Sequence, residues 1–138
     1  MPAPFRPNSR ALVLANAAQT AYALAVIKQF KAGFVPNPAT VVADLDAVEC
    51  DYDDYAPLTI TAWFDPALAP SGGWQITAPT SQALCAADQV VSNMVGGWWM
   101  ELAAGDVFVI RQFDAPVPMA VAGNFIQITP TEVFGNGA

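Results

Sequence analysis

The stretch GGWWMELAAGDVFVIRQFDAPVPMAVAGNFIQITPT, from Gly96 to Thr131, decides the fold. Two apolar runs open it, Trp98 to Leu102 and Val107 to Phe113, joined by Ala103-Ala104-Gly105-Asp106. Their aromatic and β-branched content reads as a β-hairpin, with Gly105 supplying the positive φ that a tight connection needs. Both alternating faces are apolar: Trp98, Met100 and Leu102 lie on one side with Trp99 on the other, then Val107 and Val109 stand against Phe108 and Ile110. Strands apolar on both faces must be covered on both faces, by a second sheet or by another subunit.

Beyond the hairpin, Ala115-Pro116-Val117-Pro118 reads as a bridge, Gly123-Asn124 as a turn, and Phe125 to Thr129 as a third strand. Upstream, Leu58 to Phe64 and Trp74 to Ala78 have strand composition, while Ala83 to Val91 is ambiguous. Tyr22 to Phe30 alternates as a strand with Tyr22, Leu24 and Val26 on one face, although its alanines leave helix open. Ser9 to Gln19 leans to an Ala-rich helix with Ser9 as N-cap, a hairpin strand being the alternative. Thr40 to Leu45 reads as a short helix capped by Asn37 or Thr40.

Seven or eight short strands between Gly/Pro turns, spaced by about 10 residues, predict a mainly β protein. The expected form is an antiparallel β-sandwich, a jelly-roll-like fold or a small barrel. Residues 1–9 carry three prolines and read as an extended arm, residues 10–130 as a single β domain, and residues 131–138 as a tail.

Composition narrows the function. The 138-residue chain is 54% hydrophobic and only 12% charged, with a mean hydropathy of +0.36. An ordinary soluble domain is about 25% charged. So much apolar matter on a short chain, together with twelve prolines, points to surfaces covered by partners. The net charge of -7 from only five basic residues argues against nucleic acid and against anionic membranes, which need clustered Lys and Arg. The apolar run Ala11 to Ala15 is too short before Asn16 for a secretory leader, and the Ala-rich stretch from Ala11 to Ile27, interrupted by Asn16, Gln19 and Thr20, falls short of a membrane span. A soluble protein is expected.

Side chains suited to chemistry are few. There is no histidine, which removes the commonest general base and transition-metal ligand. No serine sits in a nucleophile elbow and no glycine pair opens a phosphate cradle. Cys50 and Cys85 have no partner at metal-ligand spacing and read as buried reduced thiols. The chain is therefore expected not to be an enzyme and to need no cofactor. Asp44, Asp46, Glu49, Asp51, Asp53 and Asp54 concentrate carboxylates, and Asp51, Asp53 and Asp54 form a weak calcium candidate. The glycine and closing glutamate of an EF-hand are missing, so a solvated acidic loop is the plainer reading. Trp63, Trp74, Trp98, Trp99, Tyr52 and Tyr55 could build a sugar-binding platform, though burial is the commoner fate of such residues.

The run Arg111-Gln112-Phe113-Asp114-Ala115-Pro116-Val117-Pro118-Met119, then Gly123 and Phe125-Ile126-Gln127-Ile128-Thr129-Pro130-Thr131, resembles the ending of small structural proteins of tailed bacteriophages. Tyr22 to Phe30, Pro36-Asn37-Pro38, Thr40 to Asp44 and Tyr55-Ala56 are similar in order and spacing to the same group. The resemblance implies a virion component, either a capsid decoration (cement) protein or a small head–tail or fibre protein. Its implied partners are the major capsid protein and further copies of this chain, a trimer being expected, on the capsid surface of a particle assembled in the host cytoplasm. Phe5, Arg6, Trp98, Trp99 and Phe134 are the candidate contact residues. The alternative is a carbohydrate- or receptor-binding module of a tail fibre, which requires two or more tryptophans exposed in one groove.

Overall fold

The computed structural model describes residues 9–70, 72–103 and 105–135. The chain is mainly β and antiparallel, as its alternation predicts, with nine strands and two helices among the described residues. By contact it forms two compact units, one drawn from residues up to 23, 60–80 and from 129, the other from 24–59 and 81–128.

The second unit contains the hairpin. Strands β1 (Val26–Lys31), β2 (Leu58–Thr59), β6 (Asn93–Glu101) and β7 (Val107–Met119) make a four-stranded sheet in the order β2-β1-β6-β7. Gly105 takes the expected left-handed φ of 88°, and the connection closes with Leu102 N–H to the Asp106 carbonyl at 2.9 Å. Strand β6 sits between two neighbours and is buried without a break from Val95 to Met100, which is why its sequence is apolar on both faces. Trp99 packs with Phe30 and Leu45, flanked by Phe34, Val48, Val107 and Ile110. Full burial of each such large side chain contributes roughly 1.5–3 kcal/mol.

Register explains the second glycine of the Gly96-Gly97 pair in β6. Phe30 on β1 stands opposite Gly97 on β6, and a Cβ at Gly97 would collide with both the Phe30 ring and the Arg111 carbonyl. Glycine here lets an aromatic ring lie across the strand.

Leu45 is delivered by α2 (Val42–Asp46), the short helix expected near Thr40 to Leu45. Its cap differs from expectation. Asn37 and Thr40 close the preceding turn, with Ala39 N–H donating to Asn37 Oδ1 and Asn37 N–H to Thr40 Oγ1. Val41 holds the N-cap position, and Asp44 reaches back to accept its N–H at 3.0 Å. A two-stranded ribbon, β5 (Ser81–Leu84) with β8 (Phe125–Ile128), belongs to the same unit. It buries Ala83, Ile126 and Ile128 on one face and exposes Gln82, Leu84, Phe125 and Gln127 on the other.

In the first unit α1 (Ser9–Ala21) packs on β4 (Trp74–Thr77) and β9 (Thr131–Phe134), with β3 (Ala67–Leu68) on the far side of β4. The helical reading of Ser9 to Gln19 holds. Ala11, Ala15 and Ala18 recur at helical spacing and are buried, so the helix face against the sheet is made of methyl groups and permits close approach. The Trp63 indole N–H donates to the Tyr22 carbonyl at 2.9 Å, capping the end of the helical segment.

Several boundaries move. The strand expected from Tyr22 starts only at Val26, because Leu24 takes a left-handed φ of 62° that no strand can contain. Of Leu58 to Phe64 only Leu58–Thr59 is strand; further along, Phe64 N–H donates to the Thr77 carbonyl at 2.8 Å. The Pro-rich bridge is strand: Pro116 and Pro118 lie within β7, whose edge position tolerates missing N–H donors. Residues 131–134, read as the start of a tail, are β9 and pair with β4. The ambiguous segment contributes β5 and then a loop. The arm of residues 1–8 and the tail of residues 136–138 lie outside the described residues.

Candidate functional site

Among the described residues strand β7 is the last of its sheet, with no neighbour beyond it. Its first half, with Val107, Val109 and Ile110, forms one wall of a shallow groove of about 400 Å³ whose other wall is Pro36, Asn37, Pro38 and Thr40. A second hollow of about 320 Å³ continues from Thr40 and Val107 to Val42, Gly105 and Asp106. The wall opposite β7 is the turn of Asn37 to Thr40, closed by Thr40 N–H to the Asn37 carbonyl at 3.0 Å and flanked by Pro36. Of its lining only Asn37 and Thr40, and in the second hollow Asp106, carry polar side chains. Such a surface can bind an extended apolar segment, and it assembles no acid–base pair.

The carboxylates of the acidic segment are engaged with donors of the protein itself. Asp51 accepts from Asn93 Nδ2 at 3.0 Å and pairs with Lys31 Nζ at 3.3 Å; the Asn93 and Lys31 hydrogen bonds hold its carboxyl below the usual range. Asp53 accepts the backbone N–H groups of Val90 and Val91. Asp54 accepts Ala86 N–H and Gln89 Nε2, both at 2.9 Å. Asp88 in turn accepts Ala122 N–H at 2.9 Å. The carboxylates of the calcium candidate point at three separate sets of donors, and among the described residues no three Cys, Asp or Glu side chains gather as a metal site. They act as clasps that tie the loops of residues 51–55, 86–93 and 120–124 to one another.

Behind those loops runs a buried polar chain. Tyr52 donates to Gln29 Oε1 at 2.8 Å, and Tyr55 donates to the Glu49 carboxylate while accepting Gln29 N–H at 3.2 Å. Burial pushes Cys50, beside this chain in sequence, up to about 12 and raises both tyrosines further from ionisation. Cys50 and Cys85 are both free and buried, and burial raises both thiols above their ordinary value, which favours the unreactive protonated form. On the opposite face of β1, Lys28 Nζ pairs with Glu101 at 2.9 Å, and Trp99 Nε1 donates to the same carboxylate at 3.2 Å. Burial works to lower the Lys28 pKa, but the Glu101 bond and charge, with Glu49 and Asp46, outweigh it and raise the pKa.

The expected contact residues divide. Phe5 and Arg6 lie outside the described residues. Trp98 and Trp99 are 8% and 0% exposed, so both are core side chains of the second unit rather than the surface contacts expected. Phe134 is half-buried on β9 opposite Trp74. With Trp63 also buried and Trp74 half-buried, no tryptophan is exposed, and the aromatic groove that a sugar platform requires is not formed by them.

What sequence reading missed is the apolar surface on the clasped loops. Val90 is 95% exposed, and Val121, Phe125 and Leu84 are about half exposed. Leu84 and Phe125 are direct cross-strand partners. The loops of Val90 and Val121 are joined by Gln89 N–H to the Ala120 carbonyl at 2.7 Å. A signal was present: two adjacent valines at 90 and 91 stand inside a polar, Ala-rich loop where nothing in the strand pattern requires them.

No helix among the described residues is long and apolar enough to cross a membrane. No family model matches the chain, and no curated protein or solved structure matches it.

Proposed function

We propose that the chain is a non-enzymatic structural component of a tailed-phage virion, a decoration protein that adds contact area across the joints of a capsid shell. The observation that carries this reading is the edge of β7, thirteen residues long and last in its sheet among the described residues, bordered in its first half by a shallow groove of mixed polarity rather than an enclosed cavity. A free strand edge offers unpaired N–H and C=O groups to an extended segment of a neighbour, and alternate side-chain positions beside it give selectivity. Proline-stiffened arms suit such docking because they lose little conformational entropy when they bind. The resemblance of the β7 to β8 sequence to phage structural proteins supplies the particle, and the apolar composition supplies the reason to stay on it.

Its partners in this reading are the major capsid protein and further copies of itself, on the outer surface of the capsid. A density map of purified virions tests it. Density matching the two units, seated across joints between shell subunits, is the expected result. The chain missing from intact virions, or found only at the tip of a fibre, would overturn the proposal.

A further inference from the structure

Charge is distributed along this chain with unusual asymmetry. The first 43 residues contain four of the five basic residues, Arg6, Arg10, Lys28 and Lys31, and no acidic one. All twelve acidic residues follow, with Arg111 as the single basic residue among them. Lys28 and Lys31 are already paired, with Glu101 and Asp51. The segment of residues 1–8, MPAPFRPN, thus offers a cation at Arg6 beside an aromatic side chain at Phe5, between prolines.

The second unit carries the complement. On its clasped loops Val90, Val121 and Phe125 are exposed among Asp53, Asp54 and Asp88, which are exposed as well. Those three carboxylates accept hydrogen bonds from backbone N–H groups and from Gln89, all uncharged donors, so their charges are not cancelled by the bonds they make. The loops are tied to one another by these bonds, and the backbone N–H of Val90, whose side chain is 95% exposed, is held by Asp53. Exposed apolar side chains on a pre-organised loop are what a binding surface needs, since no ordering entropy remains to be lost on docking.

We infer that this acidic-rimmed apolar patch is the docking site for residues 1–8 of a second copy of the chain, Phe5 covering the valines and Arg6 facing the carboxylates. The inference rests on the decoration reading and gives its self-association a specific junction. Since the arm and the patch are different surfaces, each copy gives an arm and receives one. That is a heterologous contact, which closes into a ring when the rotation between copies allows it.

The test uses the full chain. Sedimentation equilibrium measures self-association of the wild type, Arg6→Glu and Val90→Asp, with circular-dichroism melts to show that each variant is folded; Val90 is 95% exposed, outside the core. Each should weaken association by at least about tenfold, and raising salt should weaken the wild type. Mixing the two variants should restore one junction, between the intact arm of the Val90→Asp chain and the intact patch of the Arg6→Glu chain, giving a complex of one copy of each. A wild type that stays monomeric, association unchanged in both variants, or a mixture that forms no such complex would each overturn the inference. Normal decoration of particles by a chain that fails these tests would remove the junction and leave the decoration reading standing. A chain that passes them yet is missing from virions would do the reverse.

Discussion

The hydroxyl of Tyr55 accepts the backbone N–H of Gln29 at 3.2 Å and donates to the carboxylate of Glu49. It fills a gap in a ladder. Strand β1 pairs with β2 through Val26 and Ile27, and with the 48–50 segment through the Phe30 to Glu49 bridge, which leaves Gln29 N–H between the two. Tyr55→Phe keeps the ring and deletes the oxygen, stranding a part-buried donor and Glu49 together. The expected loss is about 1–3 kcal/mol, read as a lower urea midpoint with an unchanged slope.

Gly97→Ala should destabilise by about 1–3 kcal/mol or abolish folding, because the added methyl must displace the Phe30 ring and the Arg111 carbonyl. Gly33→Ala offers a control of a different kind. Nothing surrounds a Cβ there, and only its left-handed φ of 98° opposes the change, so the loss should stay near 1 kcal/mol. Thermal melts of both variants give the comparison.

Stability should fall on the alkaline side. Cys50 is held protonated by burial, from an ordinary value of 9.0 up to about 12, with Lys31 opposing the shift and Asp51 and Glu49 adding to it. In the unfolded chain the thiol ionises first, so its contribution is complete below about pH 9 and is lost as pH rises towards 12. Tyr52 and Tyr55, raised for the same reason, act in the same direction at higher pH. Cys50→Ala should flatten the decline of the urea midpoint over this window. A wild-type midpoint constant to pH 11 would contradict the burial assigned to Cys50.

Tryptophan emission reports on the core and on the sugar-binding alternative at once. Trp63, Trp98 and Trp99 are buried, so emission should be blue-shifted and resist iodide quenching until the chain unfolds. Soluble oligosaccharides should leave the spectrum unchanged. A quenchable, ligand-sensitive spectrum would mean that the rings are on the surface.

Calcium should not stabilise the fold. A site filled a hundredfold over its dissociation constant would add about 2.7 kcal/mol and raise the melting temperature by several degrees. With Asp51, Asp53 and Asp54 bound to separate donors, the expected shift on adding calcium or a chelator is under about 1 °C. Asp53→Ala, by contrast, should free Val90 and Val91 N–H and loosen the loop, at about 1 kcal/mol.

The hairpin could be read directly because its signal is local: alternation, β-branching and one glycine in four connecting residues fix β6, the turn at Gly105 and the first half of β7. Apolarity on both faces of β6 likewise announced a central, doubly covered strand. Pro116 and Pro118 misled for a physical reason. Proline forbids a central strand but not an edge, and whether β7 has a neighbour on that side is not written in β7 itself. The acidic run was legible as charge and illegible as structure, since its donors at Ala86, Val90 and Asn93 lie 32 to 42 positions away in sequence.

The amino-acid sequence by itself determined that this is a mainly β chain, that Trp98 to Met100 would need cover on both sides, and that it lacks imidazole chemistry, because periodicity and composition are properties of neighbours along the chain. Only the tertiary structure decided that Trp98 and Trp99 are core rather than contact, that the aspartates are clasps, and that Val90 stands in solvent. Those outcomes depend on which distant backbone groups meet, and burial is a property of the assembled neighbourhood rather than of the residue.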